Sequence, residues 1–379
     1  MRLRTILLAL LLGEVALASW WALRAGDRAP PPYAADRPFV VRPIASLDEP
    51  WAMAFLPGTN LALITERSGH LKLWQQGGTV REVSGVPQVV HEGQGGLGDV
   101  ILAPDYAASG NIYLSWAEAG ARGTAGAAVG RARLVLGGAP HLEGLQVIWR
   151  QQPKVSGRGH YSHRLAFSPD GKYLFIASGE RQKFTPAQDL SVNLGKIVRL
   201  LPDGTPAPGN PWADRGGLTA QIWTLGHRNI LGLHFDPEGR LWDLEHGPRG
   251  GDELNLVEPG RNYGWPVVSE GDNYSGIPIP RHSTHPEFTA PAISWTPVIA
   301  PGGFIFCRCE KFPRWRGKVL IAGMGEQGIV EVAIAGSKAR EVARYNLDAR
   351  IRAIAERQDG ALFVLEDEAG GRLLELTPR

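Results

Sequence analysis

The chain has 379 residues, enough for one large or two ordinary domains, and its 43% hydrophobic and 21% charged residues are the balance of a globular protein with a sizeable core. Its 40 basic and 38 acidic residues leave a formal charge of +2 with no basic stripe, so nucleic acid is not an expected partner. The 48 glycines and 29 prolines are spread along the chain, as tight turns between short strands require and long helices do not.

In chain order, Arg2 and Arg4 come first, followed by an apolar run from Ile6 to Leu12 and the small-x-small pattern Ala16-Leu17-Ala18. This predicts an export signal over residues 1–18 and a periplasmic location. The alternative is an uncleaved membrane anchor reaching Leu23, because Trp20 and Trp21 resume the apolar stretch; Glu14 interrupts it and is costly in a bilayer centre. Residues 19–38 read as a Pro/Ala-rich linker, and the folded domain is expected over 39–379.

One pattern then recurs: an apolar strand, a Pro or Gly turn with a polar residue, and a second apolar strand. It begins at Met53, Val100, Leu165, Leu233, Gly303 and Ile351, with second strands from Leu61, Ile112, Tyr173, Leu241, Lys318 and Leu362. The Asp-Gly and Glu-Gly pairs in these turns are hairpin signals. A repeat of about 45 to 70 residues fits propeller blades with insertions. The expected fold is therefore all-β, a six-bladed β-propeller with four-stranded antiparallel blades around a central channel; a β-sandwich is the alternative. Cys307 and Cys309 are read as free thiols or core fillers, since a bridge between positions i and i+2 is strained.

Polar clusters beside the repeats are the candidate site. Glu92-Gly-Gln94-Gly-Gly-Leu-Gly98 has four glycines that would let backbone approach a ligand, but lacks the Lys-Ser/Thr and the helix of a phosphate loop. Gly159-His160-Tyr-Ser-His163-Arg164 offers histidines suited to general-base work, or merely to loop hydrogen bonds. Gly226-His-Arg228-Asn229 offers a permanent cation with a planar donor fork. Glu245-His-Gly247-Pro248-Arg-Gly-Gly-Asp252-Glu253, with the following Tyr263, supplies carboxylates and turn carbonyls suited to a hard cation, without EF-hand spacing. Arg350 and Arg352 share one strand face, where two cations repel unless an anion lies between them.

Together these motifs, with Gln188-Asp-Leu-Ser191 and Leu194-Gly-Lys-Ile197, resemble the soluble pyrroloquinoline-quinone (PQQ)-dependent glucose/sorbosone dehydrogenase family, in particular its aldose sugar dehydrogenase branch, over residues 43–376. The resemblance implies a small-molecule sugar substrate oxidised at the anomeric carbon to the lactone, with PQQ and Ca2+ as cofactors and an electron acceptor that the sequence does not name. His160 would take the hydroxyl proton as hydride passes to the quinone, and Arg228 would stabilise charge on the quinone oxygen. Gln94, Asn229, Trp295, Arg350 and Arg352 would contact PQQ. Carbonyls of Gly247 and Pro248 would hold calcium, with a further calcium near Asp252, Glu253 and Tyr263. One departure is Glu326, which stands where related chains carry a lysine toward the cofactor: either it points away, or an arginine compensates, or the quinone binds weakly or not at all. That departure keeps open a propeller that binds without redox chemistry. A metal-dependent lactonase-like hydrolase is the third possibility.

Overall fold

The structure, a computed structural model, describes residues 33, 34 and 36–379. The export-signal and anchor readings, and most of the linker, lie outside these residues. Among the described residues no helix is long and apolar enough to cross a membrane.

Six four-stranded antiparallel sheets form the six blades of a β-propeller. The innermost strands are β2 (Pro50–Phe55), β6 (Leu97–Leu102), β10 (Ser162–Phe167), β14 (Ile230–Phe235), β18 (Pro301–Phe306) and β22 (Ile351–Glu356), each packed against the first strand of the next blade. Every one of the six sequence repeats falls on the first two strands of a blade. Gly58, Gly171, Gly239 and Gly360, in the intervening turns, all adopt positive φ, the conformation that glycine enters without penalty. Among the described residues, helix is limited to the four-residue turn Tyr106–Ser109 and short 3₁₀ segments.

The ring closes through the last blade, where β1 (Phe39–Ser46) pairs antiparallel with β24 (Arg372–Pro378) outside β23 (Leu362–Glu366) and β22. Just before β1, Ala34 N donates to Arg344 O at 2.8 Å and Arg37 Nη1 to Asn346 O at 3.1 Å, so the end of the expected linker is fastened to blade five. The core is divided into clusters between adjacent blades, one for each of the six interfaces, such as Trp116 with Leu71 and Leu73, or Phe304 with Trp242 and Ile321. Because both faces of each sheet are covered, second strands such as Leu174–Ser178 and Leu362–Glu366 are buried throughout.

Arg164 spans the channel. From blade three its guanidinium reaches Asp99 at 3.2 Å, the carbonyls of Leu231 (2.7 Å) and Gly302 (2.6 Å), and lies 3.8 Å over the Trp51 ring. It therefore joins five blades through one buried, fully engaged side chain. The imidazole of His163 stacks on Trp51 with ring centroids 5.2 Å apart, and pairs with Ser115 Oγ at 2.9 Å.

Cys307 and Cys309 are buried as expected, but the structure joins them in a disulfide rather than leaving free thiols. The physical reason is local: Cys309 has φ 53°, which folds the strand end back so that the two side chains meet across Arg308.

Candidate active site

All six inner strands begin with a register shift, at the same end of the channel. Such bulges re-aim side chains at a strand end, and the loops bearing Gln94, His160, Arg228, Asn229, Gly247 and Arg350 all meet there.

His160 sits just before β10 with φ 49°, a left-handed conformation for a non-glycine residue. Its backbone N–H donates to Gln94 Oε1 at 2.7 Å, which fixes that conformation. Its Nδ1 is held by Glu180, a residue that the sequence motifs do not flag. Glu180 lies just after β11 (Leu174–Ser178) and is fully buried. Its carboxylate also accepts from the backbone amides of Gln182 (3.0 Å), Lys183 (2.6 Å) and Phe184 (2.6 Å). These donors and His160 hold Glu180 below the ordinary carboxylate range despite burial. With Nδ1–H committed to Glu180, the lone pair of His160 is on Nε2, which has no partner among the described residues. Burial holds His160 below the usual histidine value; Glu180 opposes that shift and Arg228 adds to it. The imidazole is therefore neutral at neutral pH, the state a base needs.

The loop of Arg228 is clamped from both sides. Glu180 N donates to Arg228 O at 3.0 Å, and Arg228 N donates to Glu245 Oε2 at 2.7 Å. Its Nη1 donates to His246 O at 2.9 Å, whereas its buried Nε has no partner. Among the described residues Arg228 forms no ion pair; the Trp265 and Tyr274 rings lie 5.2 and 6.0 Å from its guanidinium carbon. Asn229 Oδ1 accepts from Ser162 Oγ at 3.3 Å, and its carbonyl accepts from His246 N at 3.0 Å. His246 Nε2 donates to Pro301 O at 2.7 Å, and burial pulls its pKa down to about 3, so it is a neutral strut. Lys196 is likewise a strut: its ammonium bonds the carbonyls of Pro186, Ala187 and Leu194.

Several expected contacts are placed differently. Gln94 is exposed at the site, but its side-chain oxygen is spent on His160; it positions the base. The glycines near it serve close packing against protein rather than against a ligand, since a Cβ at Gly96 would lie 2.2 Å from Arg67 O and one at Gly98 1.9 Å from the His163 ring. Trp295 meets the Gly247–Asp252 turn only through its backbone, its carbonyl accepting from Gly251 N at 2.8 Å. It is on β17 (Ile293–Trp295), the outer strand of blade four, buried in the core between blades four and five with its indole N–H on Glu341 at 2.7 Å. Arg350 and Arg352 do share a face, but the anion between them is Asp367, which takes Arg352 at 2.7 Å on one oxygen and Arg350 at 2.8 Å on the other. Glu326 pairs with buried Arg344 at 2.6 Å and its carbonyl accepts from Tyr33 at 2.7 Å, so its charge is met within the protein.

The turn after β15 (Leu241–Glu245) has the donor set of a hard-cation site. The carbonyls of Gly247 and Pro248 accept no hydrogen bond among the described residues. A Cβ at Gly247 would lie 2.2 Å from two carbonyl oxygens, so only glycine fits this turn. Asp252 is not a free ligand: its two oxygens take Gly247 N (2.9 Å) and Ala300 N (2.7 Å) and thereby shape the turn. The Tyr263 hydroxyl is also spent, donating to Leu256 O at 2.6 Å and accepting from Glu258 N at 2.9 Å. Glu253 is buried, and burial with Glu245 beside it pushes its carboxyl up to about 8, so it favours the protonated form that a cation would displace.

The family model described as Glucose / Sorbosone dehydrogenase matches residues 47–375. The chain is 43% identical over 342 residues to Aldose sugar dehydrogenase YliI of Escherichia coli (strain K12), covering 88% of this chain and 91% of that one. Its structure is similar to that of the soluble aldose sugar dehydrogenase from Escherichia coli in the apo-form, with TM-score 0.85 and 41% identity over 90% of this chain and 100% of that chain. It is also similar to the PQQ-bound form of aldose sugar dehydrogenase from Streptomyces coelicolor, with TM-score 0.74 and 28% identity over 92% and 100% of the two chains. With a matching propeller and a match that runs through all six blades, the chain belongs to the glucose/sorbosone dehydrogenase family.

Proposed function

We propose that this protein is a PQQ- and calcium-dependent sugar dehydrogenase that oxidises aldoses, or related alcohols and aldehydes, to the lactone or corresponding product. The observation that carries this reading is His160, neutral, oriented by Glu180 and open at Nε2, on a loop clamped to that of the unpaired Arg228 cation. PQQ, when bound, supplies the two-electron acceptor for the hydride. Arg228, with its unpartnered Nε, and Asn229 would hold it, with Arg350 at the edge. Tyr274, absent from the sequence motifs, is 75% exposed beside Arg228 and offers an aromatic face. Gly247 and Pro248 would give carbonyls to calcium, with Glu253 as the nearby carboxylate.

The protein's own part is proton transfer and charge placement. His160 Nε2 accepts the proton of the sugar hydroxyl, and Glu180 stabilises the imidazolium that results. The Arg228 guanidinium is held in place before the reaction and would meet the negative charge that hydride transfer puts on PQQ. A binding propeller without redox chemistry rested on Glu326, which Arg344 neutralises. A hydrolase with a metal deep in the channel must displace the Arg164 plug. We also propose, from the N-terminal sequence, that the protein works in the periplasm and passes electrons to a separate acceptor.

The test is to add PQQ and Ca2+ to the purified protein while following cofactor absorption, then to add an aldose. Saturable binding followed by bleaching to the quinol is expected. Absence of binding at micromolar PQQ would overturn the proposal.

A further inference from the structure

Behind Arg228 lies a second polar cluster that the chemistry above does not use. His227 Nδ1, Asp243 and Glu245 bring three candidate ligand atoms within 4.8 Å of one another. His227 Nδ1 is 3.2 Å from Glu245 Oε1 and 3.4 Å from Asp243 Oδ2. His227 and Asp243 are fully buried. Asn255 Nδ2 donates to Asp243 Oδ1 at 3.1 Å and to Glu245 Oε1 at 3.3 Å, but Asp243 Oδ2 and Asn255 Oδ1 are buried without a hydrogen-bond partner among the described residues. Two buried carboxylates side by side with an unpartnered oxygen are costly unless a proton or a cation joins them.

We propose that His227, Asp243 and Glu245 bind a divalent transition-metal ion of the zinc class, with the Asn255 amide donating to both carboxylates and holding them in place. Imidazole with carboxylates suits such an ion rather than calcium, which takes oxygen alone. The spacing agrees: tetrahedral ligands at about 2.0–2.1 Å from zinc lie about 3.3–3.4 Å from one another, and the observed separations from Nδ1 are 3.2 and 3.4 Å. The remaining His227 nitrogen pairs with Thr224 Oγ1 at 2.9 Å, and Tyr263 stacks on the ring at 4.7 Å, so the imidazole is already oriented. Of the three ligand residues, Glu245 also lines a cavity of about 20 Å³, with Arg228, His246, Gly247 and Glu253. Since the other Glu245 oxygen accepts Arg228 N, a bound ion would brace the Arg228 loop from behind.

The experiment is equilibrium dialysis of the chelator-treated full-length chain against zinc chloride with calcium in excess, read by elemental mass spectrometry. It is paired with anomalous diffraction at the zinc edge from soaked crystals. One zinc per chain, with an anomalous peak between His227, Asp243 and Glu245, is expected. Asp243→Asn, which keeps the shape of the side chain, should weaken zinc at least tenfold and abolish the rise in melting temperature that zinc gives the parent protein. No zinc retained in calcium would overturn the proposal and leave a proton as the bridging charge; so would an anomalous peak elsewhere, or unchanged affinity in folded Asp243→Asn. If that variant fails to fold, the peak position in the parent protein decides alone.

Discussion

Replacing Glu180 by Gln alters one atom of the group that orients His160. The carboxylate receives four donors: His160 and Gln182 N on Oε1, Lys183 N and Phe184 N on Oε2. A Gln amide can be placed in two ways. With its NH₂ in the Oε2 position, two backbone N–H groups lose their acceptor, at about 1–3 kcal/mol each. With its NH₂ in the Oε1 position, only Gln182 N loses an acceptor, but the amide then donates to His160 Nδ1. The proton of His160 is forced to Nε2, the atom that must accept one. The second placement sacrifices fewer bonds, so the variant should hold the wrong tautomer. A general base contributes about 10²–10⁴-fold, and kcat should fall by that amount, about 2.7–5.4 kcal/mol in barrier, with little change in KM because Glu180 does not reach the substrate. A dye-linked assay at saturating PQQ and Ca2+ measures this directly. The pH profile is a second readout. Activity in the parent protein should be lost as pH falls through the His160 pKa, below 6.5. Without the Glu180 charge, which raises that pKa, any residual limb should move further to acid. A kcat within about threefold of the parent, or a limb displaced upward, would refute the orienting role.

Arg228→Lys keeps the backbone bond to Glu245 but loses the planar fork; we expect kcat/KM to fall by about 10–10³-fold with weaker PQQ binding, measured by titration and steady-state kinetics. Gly98→Ala has ordinary φ but places Cβ 1.9 Å from the His163 ring, so overpacking of about 1–3 kcal/mol or more should lower the melting temperature, and an unchanged melt would contradict this packing. Glu326→Lys should not tighten PQQ, because Glu326 is engaged with Arg344; it should instead destabilise the protein by placing two cations together, and a tighter PQQ titration would show that the side chain faces the site.

The blades were legible because their signal is local. A Pro or Gly turn joins the first two strands of each, as in Phe167-Ser-Pro-Asp-Gly171, and both strands are apolar. The outer strands are less so: Lys338–Asn346 alternates between exposed and half-buried positions up to Ala343 and contains four charged side chains, which is faint against loop composition. Closure by β1 on β24 joins segments more than 300 residues apart, and no turn announces it. The same division holds at the site. His160 and Arg228 stood out because polar pairs precede apolar strands. Glu180 did not, since its meaning depends on folding back onto His160, although an acid two residues after the buried run Leu174–Ser178 was an available signal. Period two placed Arg350 and Arg352 on one face correctly, but their anion is Asp367, supplied by the hairpin partner rather than by a ligand. Trp295 was misplaced because a tryptophan near a site motif looks the same in sequence whether it faces a ligand or a neighbouring blade.

Charge placement explains why Arg228, rather than another cation, is suited to the reacting end of the channel. Arg164 is neutralised by Asp99, Arg352 by Asp367, and Arg344 by Glu341 and Glu326. Arg181 has no carboxylate but spends three nitrogens on the carbonyls of Ala125, Gly157 and Gly159 and stacks on Tyr161. Arg228 has neither arrangement: one nitrogen reaches His246 O and its buried Nε has no partner among the described residues. An unanswered donor on a buried cation is costly in the resting protein. The cost becomes useful where a reaction creates negative charge, because the guanidinium needs no reorganisation to meet it. That asymmetry predicts that a planar dianion competing for Arg228 should protect the parent protein against thermal unfolding more than it protects Arg228→Lys. Equal protection of both would mean that the unpartnered Nε is not what draws the anion.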